Sequence, residues 1–180
     1  VAEPFFANLS QVQKWLRPFC KQIKADYPDT LLLGEAASAN VNLAVDYTLP
    51  RNELMDTVIT FRYFTEDLTK LDESFSTRYQ PRDLDIPAFK QNQVVWQQTL
   101  SNVSLPTLYW NNHDMSRVAT RFAKDEQQVK GLAMLMYLQR GIPVIYYGEE
   151  LGLKNLHFDT AEPFNDITVD EFLVSAIKAG

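Results

Sequence analysis

The chain has a single cysteine in 180 residues. One thiol makes no internal disulfide, and one thiolate does not build a zinc site. Cys20 falls on the apolar face of an expected helix and reads as a small core residue. Such sparse cysteine fits a reducing compartment, and a cytoplasmic location is expected. Runs of four or five basic residues are missing, and the formal net charge is −6. Nucleic acid and anionic membrane surfaces are therefore not expected partners, because both select a positive patch. No segment approaches the roughly 18 consecutive apolar residues of a membrane-spanning helix. The opening VAEPFFANLS has neither the basic start nor the long apolar centre of a signal peptide. HExxH, P-loop, GxGxxG and GxSxG patterns are all lacking, which leaves metalloprotease, nucleotide-binding and nucleophile-elbow readings unsupported. There is no repeat, low-complexity segment or linker.

What is present alternates. Ser10 to Gln13 fits a capping box, and Val12, Trp15, Leu16, Phe19 and Ile23 recur at helical spacing. Tyr27-Pro28-Asp29 ends that helix. Thr30 to Gly34 is a continuous apolar run that predicts a strand buried on both faces, as in a parallel sheet. A short helix is expected near Asn42 to Asp46 or Arg51 to Met55. Thr57 to Phe61 predicts a second strand, and Ile86 to Leu100 a second long helix with Phe89, Trp96 and Leu100 on one side. Thr65 to Arg82 reads as a long polar loop. Leu105 to Trp110 predicts a third strand. A helix capped by Asp125 carries Val129, Leu132, Ala133, Met136 and Tyr137 and is expected to end at Gly141. Ile142 to Tyr147 predicts a fourth strand, and Thr168 to Glu171 another capping box. The expected fold is α/β, with about four strand–helix units and right-handed crossovers. A closed (β/α)8 barrel needs eight units, so four make half a TIM barrel or a small open sheet.

Polar groups gather where the strands end. Gly34-Glu35 follows the first, Asn112-His113-Asp114 the third, and Gly148-Glu149-Glu150 the fourth. In barrels and open α/β sheets that is the face where active sites form. Taken singly, each acid has an ordinary alternative. Glu35 could be a solvated loop acid, Asp114 a cap for the helix holding Val118 and Phe122, and Glu149-Glu150 a surface pair. The cluster in LPTLYWNNHDMSR asks for more, since a cap needs one short polar residue. His, Asp and Arg together accept from and donate to several hydroxyls at once. His157, in LKNLHFD, has no evident partner and reads as a loop residue.

LLLGEAA, YWNNHDMSRVATRFA and GIPVIYYGEELGLKN resemble three consecutive motifs of the α-amylase superfamily of glycoside hydrolases. The nearest subgroup is the intracellular α-glucosidases, which includes oligo-1,6-glucosidase, dextran glucosidase and trehalose-6-phosphate hydrolase. The segment FFANLSQVQKWLRPFCKQIKADYPDTLLLGE is similar to the helix before the family's fifth barrel strand. The resemblance weakens between Ala36 and Gln80. It implies the C-terminal half of a (β/α)8 barrel, strands five to eight, with the whole of residues 1–180 a partial catalytic domain. The N-terminal half of the barrel and the family's C-terminal β-domain would lie outside it.

The same resemblance implies roles. Glu35 is then the general acid/base, and Asp114 the third catalytic carboxylate, which grips sugar hydroxyls. His113, Arg117 and Asn112 are substrate-binding, with Arg117 lining a glucose subsite. Glu149 and Glu150 support the rim. No metal and no organic cofactor takes part. Retaining glycosidases use two carboxyl groups about 5 Å apart, the acid kept protonated by partial burial or a neighbouring negative charge. Asp114 is a candidate for part of that charge. The family's nucleophile, in a G-F-R-x-D motif, and its D-x-x-x-N-H motif do not occur in this sequence. The expected function is therefore part of a retaining enzyme that releases glucose from small α-1,6- or α-1,4-glucosides, inactive as this chain alone. The alternatives are trehalose-6-phosphate hydrolysis, or a non-catalytic binding or assembly domain like the heavy chains of some amino-acid transporters. A flavodoxin-like domain fits less well, since no phosphate-binding glycine loop follows a strand. Ala36-Ala37-Ser38, Met115-Ser116 and Tyr147 depart from the family's usual residues and bear on linkage preference. Exposed half-barrel edges predict self-association.

Overall fold

A computed structural model of the chain describes residues 5, 7–63, 84–160 and 167–179. The elements run α1 (Val12–Asp26), β1 (Leu33–Glu35), α2 (Val41–Thr48), β2 (Thr57–Ile59), α3 (Ile86–Leu100), β3 (Thr107–Leu108), α4 (Val118–Arg121), α5 (Glu126–Tyr137), β4 (Ile142–Pro143) and α6 (Ile167–Ala179). Single 3-10 turns occupy Pro50–Asn52, Phe61–Tyr63 and Glu149–Leu151. The loop expected over Thr65 to Arg82 lies outside the described residues.

Helix starts follow local chemistry. Asp85 Oδ1 accepts from Ala88 N–H at 3.0 Å, and Asp125 Oδ1 from Gln128 N–H at 2.9 Å. Asn40 caps α2 in the same way, through Leu43 N–H at 3.0 Å. Such caps satisfy N–H groups that have no partner inside the helix. The capping box expected at Ser10 does not form: Gln11 is the N-cap residue, already in the helical region, and no side chain caps α1. A backbone turn from Val12 N–H to Leu9 C=O closes that end instead. α6 begins at Ile167, one residue before the expected Thr168. α5 stops at Tyr137, four residues short of Gly141. Gly141 serves a different end: a Cβ there would lie 2.5 Å from Pro106 O and 2.6 Å from Leu108 Cγ. Only glycine lets the chain enter β4 so close to β3.

β1 and β2 pair in parallel with Leu33 opposite Thr57, and β3 and β4 pair in parallel with Thr107 opposite Ile142. The expected parallel strands are present, but the ladders form two two-stranded sheets. Hydroxyls bridge the inner strands. Thr57 Oγ1 donates to Leu105 C=O at 2.7 Å, Thr107 Oγ1 to Val58 C=O at 3.1 Å, and the Tyr109 phenol to Thr60 C=O at 2.6 Å. All three side chains are buried, so each bond satisfies groups that water does not reach.

The core lies between these strands and α2, α3 and α5. Phe89, Trp96, Leu100, Leu108, Trp110 and Met136 are each 3 % exposed or less. The Trp110 ring stacks on Phe89 at 5.1 Å and meets Phe122 edge-on at 6.0 Å. Its indole N–H donates to Leu132 C=O in α5 at 2.7 Å, which ties helix to strand. Residues 106–111 are buried on both faces. The first strand, expected to be equally buried, is not: Leu31, Leu33 and Glu35 are exposed while Leu32 and Gly34 turn inward. Pro143, Ile145 and Tyr147 alternate in the same way along the last strand. β1 and β4 flank the inner strands, and among the described residues each bonds a neighbouring strand on one side only. All four strands are shorter than the apolar runs that predict them, the inner ones as much as the flanking ones. α1 packs through Val12, Leu16 and Cys20, spaced four apart; Cys20 is 1 % exposed, as expected. Trp15 and Phe19, expected on that face, occupy the adjoining stripe at 74 % and 60 % exposure. Among the described residues, no helix is long and apolar enough to cross a membrane.

Candidate active site

The exit of β3 is built around two asparagines. Asn111, 2 % exposed, closes the turn: its Oδ1 accepts from Val118 N–H at 2.8 Å, at the start of α4. Asp114 is thus not the cap of that helix. Arg117 is the N-cap residue and caps nothing with its own side chain. Asn112 Oδ1 accepts from Asp114 N–H at 2.9 Å, and Asn112 C=O from Met115 N–H at 3.3 Å. The turn so formed displays His113 and Asp114 at its tip. His113 Nε2 lies 3.5 Å from Asp114 Oδ2, and both side chains are open to solvent. A carboxylate beside an imidazole presents acceptors and a donor together, the set that hydroxyl-rich ligands use.

Arg117 joins this turn to the end of β4. Its guanidinium donates to Tyr147 C=O and sits 4.7 Å and 4.6 Å from the Tyr146 and Tyr147 ring centroids. Its backbone N–H donates to Asn155 Oδ1 at 2.8 Å, and Asn155 N–H to Thr120 Oγ1 at 2.8 Å. The cation is therefore held by stacking, by a carbonyl and by its own backbone. Loss of solvent raises the Tyr146 phenol, followed by its neighbour Tyr147; Arg117 lowers it and the Asp114 charge raises it again. Asp114, Arg117 and the two tyrosines thus share one local field.

The last predicted acids separate. Glu150 is exposed, while Glu149 is 9 % exposed and accepts from the Tyr137 hydroxyl of α5. Gly148, at φ +81°, turns Glu149 inward, and Leu153 fills the space where a Cβ would stand. Burial pushes the Glu149 carboxyl up, opposed by Tyr137, Arg117 and Asn111, with Glu150 adding to the rise. Burial and the bond to Glu149 also drive the Tyr137 phenol upward. Glu149 thus faces inward and Glu150 outward.

Glu35 ends β1, on the side of the strands where His113, Asp114 and Arg117 also lie. It is exposed, so of the two means of keeping such an acid protonated, partial burial or a neighbouring negative charge, the first is not found at Glu35. Among the described residues it makes no hydrogen bond or ion pair with His113, Asp114 or Arg117. The structure thus brings Asn112, His113, Asp114 and Arg117 together and sets Glu35 apart on the neighbouring pair of strands. His157, given no partner from sequence, lies 3.2 Å from Asp159 on the exposed surface. Among the described residues, no three His, Cys, Asp or Glu side chains form a group able to hold a metal ion. Sequence reasoning missed the cap by Asn111, the ring clamp of Tyr146 and Tyr147, and the reach of Asn155. The asparagines and tyrosines were visible in the motifs, but their partners stand seven to 38 residues away along the chain.

Residues 2–178 match the family described as "Alpha amylase, catalytic domain". An oligo-1,6-glucosidase of Halalkalibacterium halodurans is 29% identical over 167 residues, covering 91% of this chain and 29% of the relative. A glucan 1,6-alpha-glucosidase of Streptococcus dysgalactiae subsp. equisimilis is 32% identical over 165 residues, covering 84% of this chain and 29% of its own length. A solved structure titled "Family GH13_31 enzyme" superposes with a TM-score of 0.86 at 69% identity, over 99% of this chain and 32% of that one. The chain spans about a third of the length of the proteins it matches. Its parallel strands, with helices packed against them, are consistent with part of that family's barrel fold. A match that runs through both strand pairs and all the motifs at their ends establishes that the chain belongs to the alpha-amylase family.

Proposed function

We propose that this chain supplies the acid/base and sugar-gripping side of a retaining glycosidase acting on small α-1,6- or α-1,4-linked glucosides. Glu35 protonates the leaving oxygen and later activates water. Asp114 accepts from ring hydroxyls and favours the positive charge that develops at the anomeric carbon. His113 and Asn112 complete the grip, and Arg117 walls the glucose site. The chain then contributes strands five to eight of the barrel, with the nucleophile carried by another part of the longer enzyme. The observation that carries the reading is the placement of Arg117 against Tyr146 and Tyr147 in the same turn that displays His113 and Asp114, at the strand ends where Glu35 also lies. Exposed acceptors next to a fixed cation and two aromatic faces suit a sugar, which offers both hydroxyls and apolar ring faces. The names of the relatives, oligo-1,6-glucosidase and glucan 1,6-alpha-glucosidase, support the same substrate class.

The location that goes with this reading is the cytoplasm. The open faces of β1 and β4 favour self-association of the isolated chain. Monomeric sedimentation of the purified chain would contradict the last point.

The test compares the 180-residue chain with a polypeptide that extends through the D-x-x-x-N-H and G-F-R-x-D segments. The short chain is expected to leave isomaltose and maltose intact. The longer one is expected to release glucose with retained anomeric configuration. There, Glu35→Gln is expected to lower kcat on isomaltose by about 10²–10⁴-fold, the usual worth of a general acid. In kcat/KM, which reports formation of the glycosyl-enzyme, it should act far less on nitrophenyl glucosides, whose leaving groups need no proton. Glucose release by the short chain, or an equal loss of kcat/KM on both substrates, overturns the assignment.

A further inference from the structure

Two of the three side-chain atoms that are buried without a partner among the described residues are Asn111 Nδ2 and Glu149 Oε2. They belong to side chains whose other ends are both committed. Asn111 Oδ1 holds Val118 N–H, and Glu149 Oε1 holds the Tyr137 hydroxyl. The Asn111 side chain is also one of the groups acting on the Glu149 carboxyl, in the direction of a hydrogen bond to its ionised form. A donor and an acceptor, each deprived of water, thus belong to neighbouring side chains, with no hydrogen bond between them in this conformation. Neither is used by the chemistry proposed above.

We infer that Asn111 and Glu149 form an internal amide–carboxylate brace that positions Arg117 and the His113–Asp114 turn. The brace runs from Tyr137 in α5, through Glu149 after β4 and Asn111 after β3, to Val118 at the start of α4. It crosses between two strand exits that Arg117 and the Asn155–Thr120 bond also join at the surface. Its inner half fixes where Glu149 turns. Its outer half fixes the turn that begins at Asn111 and ends at Val118, which contains every gripping residue named for this part of the site. Both are positioning residues, since neither is at the exposed tip where ligand is met. Tyr137, Arg117 and Glu150 are the charged or titratable groups acting on Glu149, and Glu126 and Lys130 line the cavity of about 300 Å³ beside it. The consequence for sugar binding rests on the proposed function; the brace itself does not.

The test exchanges the partners' chemistry. Amide hydrogen exchange of the 180-residue chain is followed at pH 8 in the segment 112–121, with the α3 segment 86–100 as internal control. Asn111→Asp sets two carboxyl groups against each other, which repel when both are ionised. It is expected to speed exchange in 112–121 at least tenfold and to leave 86–100 within about twofold. Glu149→Gln alone is expected to stay near wild type, because a glutamine can turn its oxygen toward Asn111. Adding Glu149→Gln to Asn111→Asp restores one amide and one carboxylate, and should return exchange to within about threefold of wild type. A merely space-filling Glu149 predicts no such rescue. Should Asn111→Asp fail to fold, recovery of helical circular dichroism in the double variant is the same rescue, and its failure overturns the brace. Equal exchange in the double variant and in Asn111→Asp, or an unchanged rate in Asn111→Asp, also overturns it. These outcomes do not depend on glycosidase activity, so they stand apart from the Glu35 test.

Discussion

Trp110 anchors the strand that delivers the Asn111–Asp114 turn, and replacing it by phenylalanine separates packing from hydrogen bonding. The indole N–H bond to Leu132 C=O at 2.7 Å is lost. A net hydrogen bond is worth about 0.5–1.5 kcal/mol. The low half of that range applies, because Leu132 lies within α5 and its carbonyl also faces the helix ladder. The smaller ring leaves a gap at a site that is 1 % exposed, and a gap of about a methyl group or more costs ~1 kcal/mol. Stacking on Phe89 and the edge contact with Phe122 survive, since a phenyl ring fills the same plane. The expected loss is about 2 kcal/mol. Trp110→Ala forfeits the ring contacts too and should lose roughly 3–5 kcal/mol. For a chain of this length 1 kcal/mol corresponds to about 2–4 °C in Tm. Trp110→Phe should therefore melt about 4–8 °C lower by circular dichroism, and the alanine variant about 1.5 to 2.5 times as far below wild type. Equal losses for the two variants would mean that the ring contacts contribute nothing and that the indole N–H carries the whole effect, which refutes the reasoning. So would a Trp110→Phe melting point within 1 °C of wild type.

Two further outcomes follow from the exit of β4. The Glu149 carboxyl is raised in the folded chain. Folding then binds the proton more tightly, so stability is highest below the ordinary glutamate range and falls as pH rises through it toward the raised folded value. Glu149→Gln should flatten that fall in urea midpoints measured from pH 4 upward; an unchanged pH slope would show that another group carries it. Gly148→Ala places a side chain at φ +81° with its Cβ 2.2 Å from Leu153 Cδ1. The backbone alone costs about 1–2 kcal/mol, and Leu153 must move as well. A Tm lowered by less than 2 °C would mean that the loop after β4 relaxes freely.

The legibility of the chain differed from element to element. The span of α3 and the cap Asp125 follow from local rules, because a cap and its N–H are three residues apart. So does the burial of Cys20, and so does the gathering of polar groups at strand ends. Local rules failed where a residue's neighbours are far along the chain. Trp15 and Phe19 satisfy helical periodicity as well as Val12 and Leu16 do; only the position of the sheet decides which stripe of α1 is covered. Thr30 to Gly34 reads as fully buried because its composition does not say which of its faces meets a helix. The division of the strands into two ladders joined by hydroxyls was likewise invisible, since Thr57, Thr107 and Tyr109 find carbonyls 48 or 49 residues away.

At the site the same boundary holds. The amino-acid sequence by itself determined the family, through motifs whose residue types and order are one-dimensional, and it determined which side chains stand at the ends of strands. It also made the turn of Asn112, His113 and Asp114 polar directly after a buried run. Tertiary structure alone decided that Arg117 lies against Tyr146 and Tyr147, that Asn155 holds its backbone, and that Glu149 faces inward while Glu150 does not. The physical reason is that stacking, burial and the loss of water at a carboxyl group depend on what is nearby in space. Spatial neighbours 30 or more residues apart become adjacent only when the strands pair.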